Sequence, residues 1–238
     1  MINSAYNYLK RIKFNKQETF QLLIMILVVG FVLGIDDGRA TAEIDFLWLK
    51  NFIAAMLASS LIFFGFTVFV KAFAYWRGYY AEYNWNPLPI LFTIFLSFLT
   101  YGKLIFFIPG GFNFKPIPHR RLGKFRHGPM HIEKALINLF GIVFVLVIAM
   151  LAKSAVSYSM LASNLFSLSL YFALYAVLPI PFRSPGLDIL SHSVHFYVFS
   201  LIFVFLTTTL LYFLEPVLAI LIGIIATIYL FHSVRDKL

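Results

Sequence analysis

The sequence predicts an all-α polytopic membrane protein with six transmembrane helices and one re-entrant or interfacial hairpin over residues 87–109. Three observations carry that expectation. Of 238 residues, 61% are hydrophobic and only 12% charged, against about 25% charged in a soluble domain. The apolar residues gather into runs near the ~20-residue length that crosses a bilayer. The 29 Phe and 13 Tyr are spread along the whole chain. Together these exclude an ordinary soluble enzyme and a disordered chain, and they describe one integral membrane domain over residues 1–238.

The first apolar run, Phe20–Gly34, is short and is lengthened by the amphipathic approach Lys16–Thr19. No small-residue cleavage site follows it, and Asp36 and Asp37 do, so it reads as a retained span rather than a signal peptide. The next spans are Phe52–Tyr75, Ala135–Ala152, Leu161–Pro179, His195–Leu214 and Val217–Val234, with Glu215-Pro216 as the tight turn between the last two. The stretch Pro87–Pro109 is apolar but interrupted. It opens Asn86-Pro87-Leu88-Pro89, breaks at Tyr101-Gly102-Lys103 and closes Pro109-Gly110-Gly111, which no continuous helix tolerates.

Charge decides whether that stretch crosses. If it returns to the side it left, the inner side holds Lys10, Arg11, Lys13, Lys16, Lys71, Arg77, Lys103, Lys115, Arg120, Arg121, Lys124, Arg126, Lys134, Arg183, Arg235 and Lys237. The outer side then holds only Arg39, Lys50 and Lys153, a split of 16 to 3. Crossing would turn the Lys115–Arg126 cluster outward, against the tendency of Lys and Arg to stay in cytoplasmic loops. The expected arrangement is therefore a multi-pass cell-membrane protein with both termini cytoplasmic. Its hairpin packs against the core, because irregular backbone at membrane depth must be buried in protein or line a wet cavity. The basic loop 110–131 lies against anionic headgroups. The net charge of +9 is explained by this asymmetry, and lipid rather than nucleic acid is the expected partner.

Chemistry has few places to sit. The chain has no Cys, hence no disulfide or thiolate chemistry, and no H-E-x-x-H, G-x-S-x-G, Walker or dinucleotide-binding motif. Arg77–Pro87, rich in Tyr and Trp, reads as an interfacial aromatic belt. Leu178-Pro179-Ile180-Pro181 ends a span, and Ser184-Pro185 then supplies a helix N-cap and first-turn proline. Asp188, His192 and His195 follow at i, i+4 and i+7, within about 60° of one helix face. One carboxylate and two imidazoles can form a divalent-metal set. Alternatively, Asp188 complements a helix N-terminus and the histidines sit in a wetted patch. His127-Gly128-Pro129-Met130-His131 imitates a helical His pair, but Gly-Pro interrupts it.

In order along the chain, these landmarks resemble the archaeal-type branch of the site-2 proteases, intramembrane zinc metalloproteases. The resemblance rests on Lys13-Phe14-Asn15-Lys16-Gln17-Glu18 before the first span, Arg77–Trp85 with the later Ile108-Pro109-Gly110-Gly111, and Leu178-Pro179-Ile180-Pro181 with Leu187-Asp188. Anchored on Gly78-Tyr79-Tyr80-Ala81-Glu82, it implies that the zinc-binding H-E-x-x-H falls on Phe66, Thr67, Val68, Phe69 and Val70, where both histidines and the glutamate are absent. The family's A-G-P-x-x-N segment falls near Ala135–Phe140 and is not preserved, and Ile189 stands where the last motif has Gly. The implied protein is a degenerate, non-proteolytic member, expected to hold no cofactor and to bind transmembrane segments or serve as a subunit of a membrane complex. The alternative is a metalloprotease whose zinc is rebuilt on Asp188, His192 and His195. A relict cavity is expected where the second span, the hairpin and the Leu178–Asp188 turn meet, filled by Phe66–Val70. Lys71, Arg183, His192 and His195 are the expected partners of Asp188.

Overall fold

The computed structural model describes residues 14–35, 45–85, 87–100, 102–117, 131–181 and 183–215, with five further positions beyond. Five helices are long and apolar enough to cross a membrane: α1 (Lys16–Ile35), α2 (Phe46–Trp76), α4 (His131–Lys153), α5 (Met160–Val177) and α7 (Val194–Phe213). Two shorter helices, α3 (Pro87–Leu99) and α6 (Pro185–Leu190), lie between them. Each expected span from the first to the fifth coincides with one of the long helices. The sixth, over 217–234, lies outside the described residues except for a few helical positions.

Local chemistry sets the helix boundaries. At the start of α1, the Glu18 side chain reaches back to cap the helix, as in one half of a capping box: the Asn15 N–H donates to Glu18 Oε2 at 3.3 Å, and Asn15 O accepts the first helical bond from Thr19 N. Helix α2 begins earlier than its apolar run, because the Asp45 carboxylate accepts from Trp48 N at 2.8 Å and caps it. It ends at Gly78, whose φ of 87° suits a residue without a β-carbon. With 31 residues, α2 is about 46 Å long and overshoots the ~30 Å hydrocarbon core. It is also the hub of the bundle, packing on α1, α4 and α5.

One element is absent from the sequence expectation of an all-α chain. Tyr79–Asn84 (β1) and Gly111–Pro116 (β2) pair as a two-stranded antiparallel sheet, with Tyr79 opposite Pro116 and Asn84 opposite Gly111. The physical reason lies in period two: Tyr79, Ala81 and Tyr83 are buried on one face of β1, and their neighbours are more open. The segment read as an aromatic belt is thus a strand. The register brings the two ends of residues 85–110 side by side. Between them α3 runs out, breaks at Gly102 (φ 76°), and an irregular segment returns with Phe107 fully buried and Ile105 O accepting from Tyr175 of α5 at 2.7 Å.

The core is one continuous apolar cluster running from α1 through α2, the sheet, α4 and α5 to α7. Large side chains such as Leu57, Leu61, Phe95, Phe98, Ile202 and Phe205 face outward from several helices, the arrangement a lipid-facing helix requires.

Candidate functional site

Phe66 and Val70 are one turn apart on α2 and both fully buried. Both lie against Gly141 of α4, where a β-carbon would sit 2.7 Å from Phe66 Cε2 and 2.6 Å from Val70 Cγ2. Glycine permits this approach of two apolar helices, whose attraction in lipid rests on close packing. The Phe66 ring is edge-on to Phe172 of α5 at 4.8 Å and tilted against Phe112 of β2 at 5.6 Å. Thr67 is buried and spends its hydroxyl on Phe63 O at 2.8 Å. Val68 and Phe69 are half-buried, with Phe69 stacked on Phe144 at 4.5 Å. These five side chains offer no imidazole, carboxylate or thiolate, so they do not fit a zinc ion, which needs about three such ligands and an open position. What they form is a plug where α2, α4, α5 and the sheet converge.

One residue further along α2, Lys71 Nζ donates to Glu18 Oε2 at 2.8 Å, with both side chains buried. The other carboxylate oxygen accepts from the Tyr83 N–H at 2.7 Å, and the ammonium lies 4.3 Å from the centre of the Phe14 ring. Glu18 therefore ties the start of α1 to α2 and to β1. Tyr83 in turn donates its hydroxyl to Pro109 O at 2.8 Å, and burial pushes that phenol far above its ordinary range. Lys71 was expected beside Asp188; it belongs to this cluster instead.

Asp188 sits on α6. Ser184 caps that helix, accepting from Leu187 N at 3.3 Å, with Pro185 at its first position, as the sequence indicated. Gly186 lets the turn lie against the carbonyls of Val177 and Leu178. The partner of Asp188 is Asn138 of α4, whose Nδ2 donates to Asp188 Oδ2 at 2.8 Å. Asn138 is fully buried, and its Oδ1 has no hydrogen-bond partner among the described residues. Asn138 is three residues, about one turn, from Gly141, so Asp188 is held one turn along α4 from the plug. Nearby, Ser191 Oγ donates to Asp188 O at 2.8 Å and lies 3.3 Å from His131 Nδ1. Arg183, another expected partner, is turned to Asn113 Oδ1 at 3.2 Å.

The proposed set Asp188, His192 and His195 assumed one continuous helix, and that premise fails. Helix α6 ends at Leu190, Ser191 and His192 form a turn, and α7 begins at Val194 after an extended Ser193 (φ −164°). His192 is edge-on to Phe196 at 5.6 Å and His195 is exposed. Among the described residues no three His, Cys, Asp or Glu side chains are grouped to hold a metal ion. His127 lies outside the described residues.

Phe66 and Val70 are packed as the sequence led one to expect, but the ties of Glu18 to Lys71, Asn138 to Asp188 and His131 to Ser191 are not foreshadowed by it. Two signals bear on Glu18 and Lys71 singly. An N-x-x-E capping pattern opens α1, and a lysine near the end of an apolar span calls for a partner.

Burial holds the Asp188 carboxyl above the usual 3.8, while Lys134, the Asn138 hydrogen bond and His131 pull it back down. A raised folded pKa means that the folded state holds the proton to higher pH than the unfolded state. The associated stability is present below pH 3.8 and is lost as pH rises through the folded value. Asp188→Asn removes the titration and is expected to flatten this part of the curve of melting temperature against pH. A curve unchanged in slope would assign the titration elsewhere.

The described chain is thus a helical bundle of membrane-spanning dimensions, with an apolar plug and two polar ties at the point where its helices and sheet meet. No protein-family model, curated protein or solved structure matches it.

Proposed function

We propose that this is a multi-pass membrane protein built on a site-2-protease-like scaffold, non-proteolytic, that binds transmembrane segments of other proteins or serves as a subunit of a membrane complex. The observation that carries the reading is the burial of Phe66 and Val70 on Gly141, Phe112 and Phe172. The resemblance assigns that place to a zinc-binding helix, and bulky apolar side chains there replace a hydrated polar site with packed volume.

The topology proposed with it has six crossings, residues 87–109 returning to the side they left, and both termini cytoplasmic. The antiparallel register of β1 and β2 supports the return, and the 16-to-3 division of Lys and Arg supports the orientation.

The test uses the purified chain in proteoliposomes with a single-span peptide. The expected result is no cleavage that a chelator abolishes, together with photo-crosslinking of the peptide to a probe replacing the exposed Phe92. Chelator-sensitive cleavage overturns the loss of hydrolysis; peptide crosslinking no greater than from a probe at Tyr158 overturns the binding role. Because the chain lacks Cys, a cysteine placed at Arg120 reports orientation directly, and labelling from outside alone refutes the topology.

A further inference from the structure

A small cleft of about 90 Å³ opens where the start of α1 meets the sheet. Asn15, Gln17 and Gln21 form one wall, and Gln17 and Gln21, four residues apart, share a face of α1. Asn84 and Asn113 form the other wall, on the more open face of β1 and its partner strand. Asn113 Oδ1 accepts from Arg183. Among the described residues, no hydrogen bond occupies the side-chain amide of Gln17, Gln21 or Asn84.

The charges at the cleft are answered inside the protein. Glu18 and Glu82 both line it, and each already holds an ammonium: Glu18 that of Lys71 at 2.8 Å, Glu82 that of Lys115 at 2.7 Å. Among the described residues, no lysine or arginine lines the cleft. An anionic ligand would meet two carboxylates and no free counter-charge, and a cation would compete with two ammoniums in place. An acyl chain would desolvate the amides without bonding them. A carboxamide donates and accepts, and so does a hydroxyl. At about 30 Å³ for each water-sized group, the cleft has room for about three hydroxyls, as on a glycerol or one edge of a sugar ring.

We infer that this cleft binds a neutral polyhydroxyl group, a sugar or a glycerol, held between the amides of α1 and those of the sheet. Phe20 and Leu23, beside Gln21 in sequence, are exposed and apolar, which places the cleft at headgroup level if α1 spans a membrane. A glycolipid is then one source of the hydroxyls and a soluble sugar the other. The lipid source rests on the membrane reading above; the polyhydroxyl chemistry does not.

Native mass spectrometry of the full chain in a sugar-free polyoxyethylene detergent tests it. Glucosyl-diacylglycerol, diacylglycerol and phosphatidic acid are the lipids, and glucose is the competitor. One glucosyl-diacylglycerol per chain is expected to be retained in preference to the other two lipids. Gln21→Leu and Asn84→Ala, one from each wall, are each expected to weaken retention about fivefold, the worth of one net hydrogen bond. Tyr158→Ala, at an exposed position elsewhere, should leave it unchanged. Displacement by an equal concentration of glucose assigns the hydroxyls to a soluble sugar, and retention against it assigns them to the lipid. Equal retention of the three lipids by the parent overturns the site, whether or not either variant folds. So does the absence of any glucosyl adduct, or retention unchanged in both variants. Recovery of the chain from the soluble fraction overturns the membrane reading alone and leaves the glucose competition as the test of the cleft.

Discussion

Lys71→Met is expected to destabilise the protein by about 3–5 kcal/mol, because it leaves the Glu18 carboxylate buried without its counter-charge. Glu18→Gln alone is expected to be comparably harmful, because it removes the counter-charge 2.8 Å from a buried ammonium. The double variant Glu18→Gln/Lys71→Met should recover part of the loss, because no unpaired charge remains buried. Glutamine has one acceptor oxygen where glutamate uses two, so it keeps the bond from the Tyr83 N–H or the one from the Asn15 N–H but not both, and methionine replaces the lysine stem with apolar volume. The measurement is a double-mutant cycle on unfolding in detergent. A coupling near zero would mean that the 2.8 Å contact contributes no more than a solvated ion pair. The exposed pair Lys115–Glu82, also short at 2.7 Å, is the internal control: solvent screening should hold its cycle within about 1 kcal/mol.

The contrast between what was legible and what was hidden follows the range of the interactions. Helix positions follow from apolar run length, and breaks such as those at Gly102 and Ser184-Pro185 follow from local backbone chemistry. The sheet was hidden because a Tyr-rich strand at a membrane edge has the same composition as an aromatic belt; only the pairing of residue 79 with residue 116 separates them. The partners of the carboxylates Glu18 and Asp188 were hidden for a different reason. Glu18 and Lys71 are 53 residues apart, and Asn138 and Asp188 are 50 apart, so nothing in the local pattern links them. The metal set failed on a local feature. Ser191 and Ser193 are both boundary residues, one closing α6 and one opening α7, and a spacing of i, i+4 and i+7 has meaning only within one helix.

Phe66→Ala is expected to be among the most damaging single substitutions in the chain, at about 3–5 kcal/mol. The ring is fully buried and touches three elements besides its own helix, so no single neighbour can move to close the void. The companion substitution, Gly141→Ala, tests the same contact with opposite sign. In an unconstrained helix, glycine to alanine stabilises by up to about 1 kcal/mol. Here the new methyl would sit 2.6 Å from Val70 Cγ2 and 2.7 Å from Phe66 Cε2, and overpacking of that kind costs about 1–3 kcal/mol. A net loss of stability is therefore expected. In the Phe66→Ala background one of those clashes is gone, so Gly141→Ala should become milder there, and the two effects should not add. If Gly141→Ala instead stabilises the parent protein, α2 and α4 are not in close contact at this point. The plug, and with it the proposal that a former catalytic cavity has been filled, would lose its footing.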